Sequence, residues 1–210
     1  MLTRIHIASL VIITMVSWFS CLWVQGLVNM DLKLFGPFSL VVGIVTVIIG
    51  VFNKWAWSWS IFKGWYVKRP DLRGTWKVEL KSNWINSETQ KEVPPITAYM
   101  TVRQSLTTLS MRLMTPESKS ELTTHSIEQL EDGVYQVAGI YRNEPHIELQ
   151  GKKSEIHYGS IILNVVGNPP MSLEGHYWTD RNTRGSVKLT DRIRDIFDTY
   201  ELAAKALSSC

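Results

Sequence analysis

Gly74-Thr75-Trp76-Lys77-Val78-Glu79-Leu80 places Trp76, Val78 and Leu80 on one side of an extended chain and Thr75, Lys77 and Glu79 on the other. Successive side chains of a strand point to opposite faces, so this period of two predicts a half-buried β-strand. The pattern recurs downstream. Ile96, Ala98, Met100 and Val102 alternate with Thr97, Tyr99, Thr101 and Arg103, and Leu109, Met111 and Leu113 alternate with Ser110, Arg112 and Met114. Further strands are expected over Ser120–Leu130, Val134–Arg142, Glu155–Val165, Ser172–Asp180 and Gly185–Thr190. These make eight strands, broken by turn signals at Asp132-Gly133, Asn143-Glu144-Pro145 and Gly167-Asn168-Pro169-Pro170.

Helical spacing returns only over Asp191–Leu207, with Asp191 as the expected N-cap. Eight strands in series predict an all-β domain, residues 73–207, built as a small eight-stranded up-and-down β-barrel with a C-terminal helix. Closure removes exposed sheet edges. A barrel of this size is filled by side chains or leaves room for one small ligand. A two-sheet sandwich is the alternative arrangement.

Upstream the sequence is of another kind. Ile5–Met30 and Leu34–Asn53 contain no Asp, Glu, Lys or Arg. A helix needs roughly 20 apolar residues to cross a bilayer core, so two N-terminal transmembrane α-helices are expected, at about 5–27 and 34–53, forming a hairpin domain 1–59. Pro37 falls near the start of the second, where its missing N–H costs little. A cleaved lipoprotein signal is disfavoured, because Trp18-Phe19-Ser20 is too bulky before Cys21. Arg4 before the first span and Lys54, Lys63, Lys68 and Arg69 after the second predict both termini in the cytoplasm of a bacterial cell, as a multi-pass protein of the inner membrane. Trp55, Trp57, Trp59, Trp65 and Tyr66 form an aromatic collar leading into an interfacial linker, residues 60–72. Gly36, Gly43 and Gly50 recur every seven residues and would permit close helix approach. No disulfide is expected between Cys21 and Cys210.

The chemistry of the β domain points to binding rather than catalysis. A net charge of +3 without a basic run argues against a nucleic acid polymer as partner. There is no Gly-rich phosphate loop, nucleophile elbow or His-Glu-x-x-His motif, so no enzyme, cofactor or metal is expected. Glu174 and His176 share a strand face, but two ligands do not make a metal site. The strands carry instead a supply of rings and guanidinium groups: Tyr99, Arg103, Arg112, Tyr141, Tyr158, His176, Trp178 and Arg181 are the candidate ligand-binding residues. Aromatic faces stack on nucleobases and arginine forks grip phosphates, which favours an anionic, ring-bearing ligand.

Two close spans, an aromatic collar, the opening Pro70-Asp71-Leu72-Arg73-Gly74-Thr75-Trp76 and the late segment Leu173-Glu174-Gly175-His176-Tyr177-Trp178-Thr179-Asp180-Arg181 together resemble the CD-NTase-associated protein 15 family. These are two-transmembrane, β-strand-rich effectors of cyclic-oligonucleotide-based anti-phage defence (CBASS). The resemblance implies a barrel that binds a cyclic dinucleotide, self-association in the inner membrane among its lipids, disruption of that membrane and death of the infected cell. A membrane-anchored lipocalin-like carrier of an apolar ligand and a structural docking subunit are the alternatives. A carrier would show an apolar cavity, and a nucleotide sensor would show arginines and rings converging on a polar one.

Overall fold

The computed structural model describes residues 4–26, 37–84, 93–152 and 154–208. The chain divides into two compact units, Met1–Lys68 and Arg69–Cys210.

In the first unit, α1 spans Arg4–Val24 and α2 spans Phe38–Lys54. Ser17, Cys21 and Leu22 of α1 and Val41 of α2 are buried, and Trp18 meets Phe38 edge-on at 6.3 Å. Only α1, over Ile5–Val24, is long and apolar enough to cross a membrane among the described residues. This narrows the expectation of two spans. Pro37 sits at the N-cap of α2 and Lys54 ends it, leaving 17 residues, about 25 Å at 1.5 Å per residue and short of a core about 30 Å thick. Leu34, Gly36 and the connecting Val28–Lys33 lie outside the described residues. A side chain at Gly43 or Gly50 would meet nothing within 4 Å, so these glycines do not set the α1–α2 contact. Past α2 the chain folds back: Phe52 packs on Phe62 at 5.1 Å and on Tyr66 at 5.5 Å, and His6 reaches the Tyr66 ring and carbonyl. Trp55, Trp59 and Trp65 are exposed, whereas Trp57 is buried.

The second unit is a closed barrel of eight antiparallel strands in sequence order: β1 (Gly74–Ser82), β2 (Ile96–Gln104), β3 (Leu109–Met114), β4 (Ser118–Gln129), β5 (Tyr135–Pro145), β6 (His157–Val166), β7 (Ser172–Thr179) and β8 (Arg184–Ile193), with β8 returning to β1. All eight expected strands form, and the sandwich is excluded. The Asn143-Glu144-Pro145 turn signal is overridden, because β5 continues to Pro145 opposite Ser118 and the Asn143 amide donates to Ser118 and Ser120.

The expected helix also starts later. β8 runs to Ile193, with Asp191 in a left-handed conformation (φ 49°) rather than at an N-cap, and the helix α3 spans Tyr200–Ser208. Thr75 Oγ1 donates to the Asp195 carbonyl at 2.7 Å and Thr101 Oγ1 to that of Phe197 at 2.6 Å, holding the intervening segment extended along the barrel. Thr199 then accepts from the Leu202 N–H at the helix start. Helix α3 covers the outside of β2 and β3, burying Tyr99, Met114 and Ala203.

One end of the barrel is packed solid. Leu72, Trp76, Val102, Val137, Leu163, Leu173 and Leu189 are all fully buried there. Trp76 Nε1 donates to the Leu72 carbonyl at 3.0 Å, and Gln104 ties the Leu72 N–H to the Pro70 carbonyl. Beside this plug the buried Asp71 accepts from Arg73 Nε at 2.9 Å and Arg194 Nη1 at 3.0 Å. Burial alone would raise the Asp71 carboxyl, but the hydrogen bonds from Arg73 and Arg194 outweigh it and lower the pKa from 3.8 to about 2. A depressed carboxyl stabilises the fold above its unfolded pKa and loses that contribution as the pH falls through the folded value. Asp71 is therefore expected to contribute roughly 2 kcal/mol at neutral pH, lost between about pH 4 and pH 2. Thermal melts of parent and Asp71→Asn across that range check this: the variant should be less stable at pH 7, and the gap should shrink towards pH 2. A gap that stays constant with pH would remove the ion cluster as its cause.

Candidate ligand cavity

The inward rows of four neighbouring strands follow one rule. From the plugged end outward they read Val137, Gly139, Tyr141, Asn143 on β5; Leu163, Ile161, Gly159, His157 on β6; Leu173, Gly175, Tyr177, Thr179 on β7; and Leu189, Val187, Gly185, then Thr183 before β8. Each row passes from aliphatic residues through a glycine, and ends in polar groups. The glycines are a packing requirement. A Cβ on Gly159 would lie 2.4 Å from the Tyr141 hydroxyl and ring, and one on Gly175 would lie 1.8 Å from the Ile162 carbonyl oxygen. Without side chains at these points the barrel coils tightly and the Tyr141 ring lies across β6.

The result is a cavity of 680 Å³ at the open end, within the range of about 300–1,000 Å³ common for small-molecule sites. Its floor is apolar, formed by Leu80, Met100, Met111, Leu113, Ile161 and Val187. Rings line its walls: Tyr141, Tyr177, His157 and Trp84. The rim is polar and pre-organised. Asn143 Nδ2 donates to Ser120 Oγ at 2.8 Å and to Ser118 Oγ at 3.1 Å, and the Thr179 and Thr183 hydroxyls lie 2.7 Å apart. Arg181, in the β7–β8 turn, donates to Ser154 Oγ at 3.0 Å. Burial, with Tyr177 and Asp180 adding to it, pushes the Tyr141 phenol above its ordinary pKa. It is therefore a neutral donor at physiological pH, suited to a phosphate oxygen or a base carbonyl.

The structure disperses the eight candidate residues. Tyr141 lines the cavity, and Arg181, outside the lining, donates to the lining residue Ser154. Tyr99 faces outward beneath α3, with its ring 5.2 Å from that of Tyr200. Arg103 pairs with Asp198 at 2.8 Å and Arg112 with Glu121 at 2.6 Å, both on the outer surface. Tyr158 and Trp178 are exposed, and His176 stacks on Trp178 at 5.8 Å. Glu174, weighed beside His176 as a metal ligand, pairs with Lys188 at 2.8 Å. The cavity lining contains no arginine or lysine among the described residues.

On β6 and β7 the cavity is lined by the row adjacent to the candidates: His157 rather than Tyr158, and Tyr177 and Thr179 rather than His176 and Trp178. The signal was present, because following the parity of Leu163 and Leu173 along their strands leads to these residues.

A closed antiparallel meander, plugged at one end and open at the other to a ring-lined, hydroxyl-rimmed cavity, defines a small-ligand-binding barrel. The model of the Cap15 cyclic dinucleotide receptor domain matches residues 67–191, more than half of the chain and nearly the whole barrel. The chain belongs to the Cap15 family and carries its cyclic dinucleotide receptor domain. No curated protein matches it.

Proposed function

We propose that this chain is a CBASS anti-phage effector in which the barrel cavity takes up a cyclic dinucleotide. Binding drives self-association in the bacterial inner membrane, and the associated N-terminal helices breach it. The carrying observation is the cavity itself, in a domain of the cyclic dinucleotide receptor family. Its rings offer stacking surfaces for bases above an apolar floor. Phosphates sit at the rim, met by the Tyr141 phenol, the Asn143–Ser120 pair and Arg181, where charge stays partly hydrated. With no arginine or lysine lining the cavity among the described residues, burying a phosphate in its interior would go uncompensated, which favours holding the phosphates at the hydrated rim. Confinement to a membrane raises the effective concentration of the barrels, so a modest ligand-dependent gain in contact energy shifts assembly strongly.

In this reading α1 and the apolar stretch 34–53 form a hairpin with both chain ends in the cytoplasm. Local bilayer thinning accommodates the short α2, and the exposed Trp55, Trp59 and Trp65 rest at the headgroup level.

Calorimetry of the full chain in detergent against cyclic di-GMP, cyclic di-AMP, cyclic GMP-AMP and cyclic UMP-AMP tests the site. At least one should titrate saturably. Tyr141→Ala and Asn143→Ala should each weaken it at least tenfold, about 1.4 kcal/mol or more, while Arg103→Ala, on the outer surface, should match the parent. If all four fail to bind, or if both cavity variants bind like the parent, the cavity is not the dinucleotide site. The apolar floor favours a carrier of an apolar ligand as the second reading, and saturable uptake of a fatty acid in place of all four dinucleotides would select it.

A further inference from the structure

The barrel closes unevenly. β3 has six residues and β4 has twelve, and the two pair only at Arg112↔Glu121, Leu113↔Ser120 and Met114↔Lys119. Every other seam is paired over at least six residues. A bulge between Leu122 and Thr124 marks the point where pairing to β3 stops. Beyond it β4 bonds to β5 as far as Gln129↔Tyr135, but among the described residues no strand pairs with its other side. Among the described residues Leu122–Gln129 is thus an unpaired strand edge in a barrel whose other seams are closed.

Such edges are normally blunted by lysine, proline or inward charge. This one has the bulge after Leu122 at its start but no such residue along it: Leu122-Thr123-Thr124-His125-Ser126-Ile127-Glu128-Gln129 has no Lys, Arg or Pro and a single acid near its end. Ile127 lies opposite the buried Val137 and so faces inward, which turns Thr124, Ser126 and Glu128 outward. A two-fold axis pairs one edge with its own copy, so no second kind of edge is needed. Pairing centred on Ser126 sets Ser126 against Ser126 and Glu128 against Thr124, with no like charges opposed.

We infer that the Leu122–Gln129 edge of β4 pairs antiparallel with the same edge of a second copy of this chain. The pairing is the contact through which the self-association proposed above would take place, and it depends on that reading. The first half of the same strand lines the cavity through Ser118, Ser120 and Leu122, so a ligand there touches the element that carries the edge.

The test is the oligomeric state of the full chain in detergent, by sedimentation velocity, with each of the four cyclic dinucleotides named above. Ser126→Lys and Ser126→Glu place like charges across the pair, so each variant alone should associate at least tenfold more weakly than the parent. Both should still bind the dinucleotide saturably, losing no more affinity than the lost association accounts for, and an equimolar mixture should regain association by pairing unlike charges. If Ser126→Lys alone associates like the parent, or if the mixture stays monomeric, the edge is not the contact, while ligand-driven assembly stands. A parent chain that stays monomeric with all four dinucleotides overturns both.

Discussion

Trp76→Ala is expected to destabilise the barrel by about 4 kcal/mol, as large aromatic-to-alanine changes in cores do. Against a total of about 5–15 kcal/mol for an ordinary domain, that is a large share. The indole is fully buried in the plug. It gives its N–H to the Leu72 carbonyl, and the Arg192 guanidinium lies 4.9 Å from its ring centre while Arg192 Nη1 donates to the Asp71 carbonyl. Removing the ring leaves a void between β1 and the facing strands and takes the partner from a buried carbonyl. It also strips one side of Arg192, which links β8 to the segment entering β1. Trp178→Ala is the control: Trp178 is on the outer face and 43% exposed, so its loss should cost less than about 1 kcal/mol. Urea unfolding of the full chain, followed by circular dichroism, separates the two. Similar midpoints for both variants would mean that the plug does not hold the barrel together.

Ile12→Asp combined with Val16→Asp is expected to abolish membrane residence and, with it, killing. Both side chains are more than half exposed on α1. In lipid they face hydrocarbon, where each aspartate near the helix centre costs about 2.5–3.5 kcal/mol. Two together cost roughly 6 kcal/mol, enough to shift insertion by four orders of magnitude. The barrel belongs to a separate compact unit, so dinucleotide affinity should stay at the parent value while the chain leaves the membrane fraction. Fractionation and a viability assay on dinucleotide-producing cells read the two effects. Killing by a variant absent from membranes would end the membrane-disruption mechanism. Reporter fusions that place the C-terminus outside the inner membrane would do the same for a sensor of cytosolic ligand.

The β domain was legible from the sequence because its signal is local. Alternation at Trp76-Val78-Leu80 and at Leu109-Met111-Leu113 needs no knowledge of the rest of the chain, and all eight strands formed where the period of two placed them, with ends shifted by up to three residues. The apolar α1 was legible for the same reason. Where a local signal competed with a distant partner, the partner won. Asn143-Glu144-Pro145 reads as a turn, yet cross-strand bonds to Ser118 and Ser120 keep it in β5. Asp191 reads as an N-cap, yet pairing of β8 with β1 and the hydroxyls of Thr75 and Thr101 delay the helix to Tyr200.

The cavity lining was the least legible part. A period of two divides each strand into two faces but does not say which one points inward. On β7 the rows Glu174-His176-Trp178 and Gly175-Tyr177-Thr179 are both polar and aromatic, so composition could not choose between them. On β2 the outward Tyr99 is as buried as a core residue, because α3 covers it. The sequence by itself determined which segments are strands, their order and the apolar helix before them, since these follow from hydrophobic periodicity and length. Only the tertiary structure decided which rows face the cavity, which end of the barrel is plugged and where the β3–β4 seam fails, since each of these depends on closing β8 against β1 and on contacts between residues far apart in the chain.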